Sequence, residues 1–112
     1  MSLPLITKAD LTEVKSLAAP PQAVKDTFSA VICLLGYPKN KAEDWNFAKK
    51  LMATSILEEM KNFKPVAMPS EKSDFIKSKI DSLSEDVIKG KSRATVPFFN
   101  WAKVTFESLP AE

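Results

Sequence analysis

Histidine is absent from this chain, which excludes an imidazole base, a Ser-His-Asp triad and the ordinary zinc site together. Glycine occurs only at Gly36 and Gly90, too rarely for a phosphate-binding loop or a GxGxxG turn. The one cysteine, Cys33, cannot form an internal disulfide, which points to a reducing compartment. Set within Val31-Ile32-Cys33-Leu34-Leu35, it reads as a small buried side chain, since no histidine can activate it. The longest apolar run, Ala30 to Leu35, is far too short to cross a bilayer. No basic segment followed by an apolar stretch opens the chain as a signal peptide would. Strand alternation and internal repeats are missing. Acid pairs exist at Glu43-Asp44 and Glu85-Asp86, but they fall at expected helix starts, where capping accounts for them without catalysis. These absences describe a chain that is not an autonomous enzyme and carries no cofactor.

What is present is helical. At 112 residues, with 45% hydrophobic and 27% charged side chains, the composition suits a single globular core. Leu11, Val14 and Leu17-Ala18 make one narrow apolar stripe, opened by the weak capping pair Thr7 and Asp10. Such a stripe suits a two-stranded coiled coil. Pro20-Pro21 then cuts the helix off, with Pro21 suited to the first turn of the next one. In that second helix Val24, Phe28, Val31, Ile32 and Leu35 share a face, and Gly36 is a natural stop. Tyr37 to Lys41 reads as a loop. A helix from about Ala42 turns Trp45, Ala48 and Met52 inward and Lys49-Lys50 outward. Ser55 and Glu58 form a capping box for a short helix with Ile56, Met60 and Phe63. Lys64 to Pro69 reads as irregular. Ser70 caps a helix carrying Phe75, Ile76, Ile80 and Leu83, and Ser84 starts another. The last helix is expected from about Ser92 to Ser108, bent at Pro97, with Ala94, Phe98, Trp101 and Thr105 inside. The fold class is all-α, a small bundle of about six helices. The chain begins and ends inside helical patterns, as a fragment of something longer would, and Met1 to Leu3 reads as a cloning remnant.

The net charge of +2 says little, but its distribution is uneven. Lys89, Lys91, Arg93 and Lys103 occupy an acid-free window between Asp86 and Glu107. Lys61 and Lys64 lie in another between Glu59 and Glu71, Lys15 and Lys25 in a third between Glu13 and Asp26, and Lys39 and Lys41 in a fourth. By composition alone these read as scattered solvated lysines; convergence of the windows would instead make one basic face on a nearly neutral molecule.

Several segments together resemble one family. Leu11-Thr12-Glu13-Val14-Lys15, then Pro20-Pro21 with Ala23-Val24-Lys25, then Val31-Ile32-Cys33-Leu34-Leu35-Gly36, are similar to the start of the microtubule-binding domain of dynein heavy chains. Glu43-Asp44-Trp45 fits the next element. Asp86-Val87-Ile88, Ser92-Arg93-Ala94, Pro97 and Trp101-Ala102 resemble the last head helix. The resemblance implies a six-helix head at the tip of an antiparallel coiled-coil stalk. Residues 1–19 would then hold the cloning remnant and the distal end of the first stalk helix, 20–108 the head running into the second stalk strand, and 109–112 the chain end. It further implies attachment to microtubules, regulated by ATP bound far away in the parent motor's AAA+ ring, the parent being an ATPase.

On the same resemblance the microtubule-facing residues are Lys25, which matches residue for residue, Lys61 and Lys64 in the third-helix region, and Lys89, Lys91 and Arg93 around the start of the last helix. Gly90 stands where some members have arginine. Pro20, Pro21, Val24 and Phe28 form the joint that couples stalk to head. The partner would be the acidic surface of α/β-tubulin, with neither nucleic acid nor membrane involved and the isolated piece a monomer. The location would be cytoplasmic and cytoskeletal, or axonemal in a cilium or flagellum. Two departures stand out: Ile80 to Asp86 is shorter than the family loop, and Lys64 to Pro69 lacks the usual acidic stretch. The rival reading is a generic helical protein-interaction module, which predicts a contiguous exposed apolar stripe.

Overall fold

The computed structural model describes residues 6, 8–17, 19–64 and 66–109. Among these, eight α-helices and one 3-10 turn follow in order, with no strand. They are α1 (Lys8–Lys15), α2 (Gln22–Leu34), α3 (Lys39–Ala42), α4 (Trp45–Thr54), α5 (Ile56–Lys61), α6 (Ser70–Asp81), α7 (Glu85–Lys91), the 3-10 turn Arg93–Thr95, and α8 (Val96–Glu107). Met1 to Leu3, Thr7 of the expected capping pair, Ala18 of the first stripe, Pro65 and residues 110–112 lie outside the described residues.

Helix α2 is the axis of the body. Its apolar side chains are too many for one face, and Val24, Phe28 and the run Ala30 to Leu34 are all buried. A helix apolar nearly all round must be covered nearly all round, and α6 and α8 supply most of the cover, with α3, α4 and α7 completing it. The polar members of α2 that go inside satisfy themselves locally. Thr27 Oγ1 donates to the Ala23 carbonyl at 2.8 Å and Ser29 Oγ to the Lys25 carbonyl at 3.0 Å, so neither hydroxyl is orphaned. Gly36 ends the helix at φ +107°, a conformation other residues adopt only under strain, and its N–H donates back to the Cys33 carbonyl. Val14 of α1 is fully buried, and α1 rests on the 3-10 turn and on α4. The radius of gyration, 12.8 Å, is what a compact chain of this length shows, about 13 Å.

Five local expectations are corrected, each for a physical reason. Tyr37 to Lys41 is not all loop: Pro38 fixes φ at −68° and launches the single turn α3. The following helix starts at Trp45, because the Asp44 carboxylate accepts from the N–H groups of Asn46 and Phe47 at 2.9 and 3.4 Å. Ser55 makes no cap with Glu58. Its hydroxyl donates to Glu59 Oε2 at 2.7 Å, drawn there because Tyr37 OH holds the other Glu59 oxygen, also at 2.7 Å. Ser70 is inside α6, and Pro69 takes the cap position without a side-chain hydrogen bond. The last helix does not run through Pro97 from Ser92. Ser92 is extended (φ −161°), the 3-10 turn follows, and α8 begins at Val96 with Pro97 in its first turn, where a missing N–H disrupts nothing. The Ser84 cap is present, its Oγ accepting from Val87 N–H at 3.2 Å.

Candidate functional site

The joint is built from backbone that cannot continue a helix. Neither Pro20 nor Pro21 has an N–H, and Pro21 sits at the N-cap of α2, one position ahead of the first turn. Its carbonyl accepts from Val24 and Lys25 N–H at 3.0 and 3.2 Å, so the first turn of α2 closes directly on the proline. Val24 and Phe28, one turn apart, are buried behind it. The Phe28 ring lies 5.9 Å from Trp45 edge-on and 4.7 Å from Phe98, tying α2 to α4 and α8 at one point. Trp45 Nε1 is buried there without a hydrogen-bond partner among the described residues.

The six cations fall into two groups. Lys25 projects from α2, Lys89 and Lys91 from the last turn of α7, and Arg93 from the 3-10 turn; all four are exposed. Their supports pack on one another, α7 against both α2 and the 3-10 turn. Apolar pegs fix that arrangement: Ile88 and Ala94, interleaved with the cations, are buried in the core. Ser92 N–H donates to the Ile88 carbonyl at 2.7 Å, and Thr95 Oγ1 bonds Ser92 Oγ at 3.0 Å, holding the turn that carries Arg93. Lys61 and Lys64 form the second group, at the end of α5 and just beyond it. Between them Phe63 packs edge-on against Trp101 of α8, ring centres 5.7 Å apart.

Electrostatically, none of the six has an ion-pair partner among the described residues. The acid beside Lys25 is otherwise engaged: Asp26 accepts from Gln22 Nε2 at 2.9 Å and from Lys79 Nζ, on α6, at 3.2 Å. That pair neutralises Asp26 and leaves the Lys25 charge unopposed by its nearest neighbour in sequence. In α7, Glu85 and Asp86 occupy the first turn and Lys89 and Lys91 the last, the order the helix dipole favours. Sequence reasoning missed the Asp26–Lys79 pair, whose members are 53 positions apart and share no local pattern. Burial pushes the Cys33 thiol up from its ordinary 9.0, as suits an inert core side chain. Among the described residues no helix is long and apolar enough to cross a membrane.

Comparison with known proteins places the chain in a family. Over residues 1–106 the chain matches the family described as the microtubule-binding stalk of dynein motor. It is 33% identical over 100 residues to a cytoplasmic dynein heavy chain of Paramecium tetraurelia, covering 86% of this chain and 2% of the relative. Cytoplasmic dynein 2 heavy chain 1 of Caenorhabditis elegans is 29% identical over 107 residues, 91% of this chain and 2% of the relative. The dynein alpha chain of the flagellar outer arm of Chlamydomonas reinhardtii is 46% identical over 68 residues, 58% of this chain and again 2% of the relative. No solved structure matches. The chain therefore spans about one fiftieth of the length of the curated relatives it matches, and it belongs to the family of microtubule-binding stalks of dynein motors.

Proposed function

We propose that this domain attaches a dynein heavy chain to the microtubule, Lys25, Lys89, Lys91 and Arg93 making the central contacts and Lys61 and Lys64 a flanking pair. One observation carries the reading: four exposed cations without ion pairs among the described residues stand on three elements of a chain in this family, α7 packing against both α2 and the 3-10 turn. Opposing an acidic tubulin surface, such cations steer encounter and bind in a salt-dependent way. Each exposed pair is worth about 0.2–1 kcal/mol, which suits an attachment that has to be released. In this reading residues 20–108 are the head, α1 and the end of α8 belong to the stalk, and the chain acts as a monomer on the cytoskeleton, in cytoplasm or axoneme. The parent motor supplies the ATPase. Sliding of the stalk moves α1 against the body, and the Pro20-Pro21 joint with Val24 and Phe28 passes that movement to α2, changing the presentation of Lys25.

The rival interaction module needs a contiguous exposed apolar stripe. Among the described residues the exposed large hydrophobics are Val66, in the segment before α6, and Val87, on α7, which make no stripe on one helix. Co-sedimentation with microtubules across a salt series tests the proposal. Lys25→Glu is expected to weaken binding by about 2- to 30-fold at low salt, with the difference shrinking as the Debye length falls. Binding indifferent to both salt and Lys25→Glu overturns the assignment.

A further inference from the structure

A separate cationic feature lies elsewhere on the molecule. Where the end of α1 meets α4, an open cleft of about 730 Å³ is lined by Lys15, Asn46, Lys49, Lys50 and Ala53. Among the described residues that line it, three of five are lysines and none is acidic. None of the three has an ion-pair partner among the described residues. Helix α4 itself contains no acid anywhere in WNFAKKLMAT, so nothing on that helix neutralises Lys49 or Lys50. The proposed microtubule contacts stand on α2, α7 and the 3-10 turn, and along α5 and beyond; none lines this cleft.

We propose that the α1–α4 cleft is a docking site for an acidic, extended segment of a partner polypeptide. The lining decides the chemistry. Its surface is largely the methylene stems of Lys15, Lys49 and Lys50, and the three charges those stems carry, with Asn46 offering an amide, match closely spaced carboxylates on a flexible chain. Among the described residues no aromatic ring lines the cleft, so they offer no platform on which nucleic-acid bases could stack. Apart from Ala53 its apolar surface belongs to lysine stems that end in charges, which suits a charged chain better than a hydrophobic helix. The cleft is walled by α1 and α4, which the chain links through the proline pair, α2 and α3, so a ligand touching both favours whichever arrangement keeps them adjacent. Occupancy thus holds α1 down on the body. This goes beyond microtubule attachment and does not depend on it.

The test uses fluorescence anisotropy with the full chain and a labelled ten-residue polyglutamate peptide at low and physiological salt. Lys49→Glu combined with Lys50→Glu is expected to weaken binding at least about 10-fold at low salt, and at least about 3-fold more than Lys89→Glu with Lys91→Glu, whose exposed cations also attract the peptide. Circular dichroism establishes that each variant is folded, and the milder Lys49→Gln with Lys50→Gln is expected to fall between wild type and the reversal. Equal loss in the α4 and α7 variants, or greater loss in the α7 pair, overturns the proposal by showing a diffuse or misplaced site. Salt-sensitive self-association of the free chain that disappears with the α4 reversal also overturns it, since the occupant would then be a second copy. Microtubule co-sedimentation of the α4 variant separates the two ideas: it is expected to keep binding microtubules while losing the peptide.

Discussion

Removing the Phe28 ring is the most searching perturbation of the coupling joint. Phe28 is 1% exposed and touches rings from two other helices, at 4.7 and 5.9 Å. Truncation to alanine loses the transfer free energy of the ring and leaves a cavity between α2, α4 and α8, together about 3–5 kcal/mol. Total stability of a domain this size is about 5–15 kcal/mol, so the variant sits near the edge of folding. At about 4 °C per kcal/mol the melting temperature drops by about 12–20 °C. Phe28→Leu keeps most of the volume but loses both ring contacts, each worth about 0.5–1.5 kcal/mol, for a total near 1–3 kcal/mol. Urea titrations followed by tryptophan fluorescence measure both, and Trp45, in direct contact with the ring, makes the signal sensitive to this site. If Phe28→Ala costs less than about 1.5 kcal/mol, the three helices are not joined through this ring and the coupling argument fails.

Other outcomes follow from single features. Gly36→Ala should lower stability by about 1 kcal/mol, because φ is +107°, whereas Gly90→Ala, inside α7 with open space at its Cβ, should raise it by about 0.5–1 kcal/mol; opposite signs in thermal melts check the pair. Tyr37→Phe removes the hydroxyl that anchors Glu59 and should cost about 1–2 kcal/mol in urea titrations, with no loss if the Ser55 hydrogen bond alone fixes the carboxylate. Alkaline stability should decline from about pH 9 upward. Cys33 is held neutral by burial while the unfolded thiol ionises at its ordinary value, so the unfolded state releases its proton first and gains. Tyr37, its pKa raised chiefly by the Glu59 hydrogen bond, adds to the decline above its ordinary 10.0. Melting temperatures from pH 8 to 10.5 should fall less steeply in Cys33→Ala; identical slopes rule out the thiol as the source.

The sequence pattern reveals α2 plainly, since Val24, Phe28, Val31 and Ile32 recur at helical spacing and all are buried. The placement of Trp101, Met52 and Met60 in the interior is equally readable, as is the Ser84 cap. The illegible parts share a cause: competition settled by partners far along the chain. Glu58 and Glu59 both lie within reach of Ser55, and only the arrival of Tyr37 from the end of α2 selects Glu59. Pro97 looks like a helix breaker until Ser92 is seen extended, after which the proline is merely an opening residue. For the cations, the acid-free windows mark stretches of unopposed charge but by themselves read as scattered lysines; the six proposed contact residues come from the family resemblance, and spacing cannot say that α7 packs beside α2. The same holds for Lys15 meeting Lys49 and Lys50, which belong to segments separated by the whole of α2 and α3.

The proline pair also determines how mechanical load enters the domain. Two successive residues lack N–H groups, so the link cannot be part of a helical hydrogen-bond ladder, yet each proline ring fixes its own φ and keeps the link short and restricted in rotation. A second connection is lateral, through the wholly enclosed Val14 side chain between α1 and the elements it rests on, the 3-10 turn and α4. Load on α1 can therefore enter the body at two places, along the chain into α2 and sideways through one valine into the turn that carries Arg93, so shortening that single aliphatic side chain would loosen the sideways connection and leave the one along the chain intact.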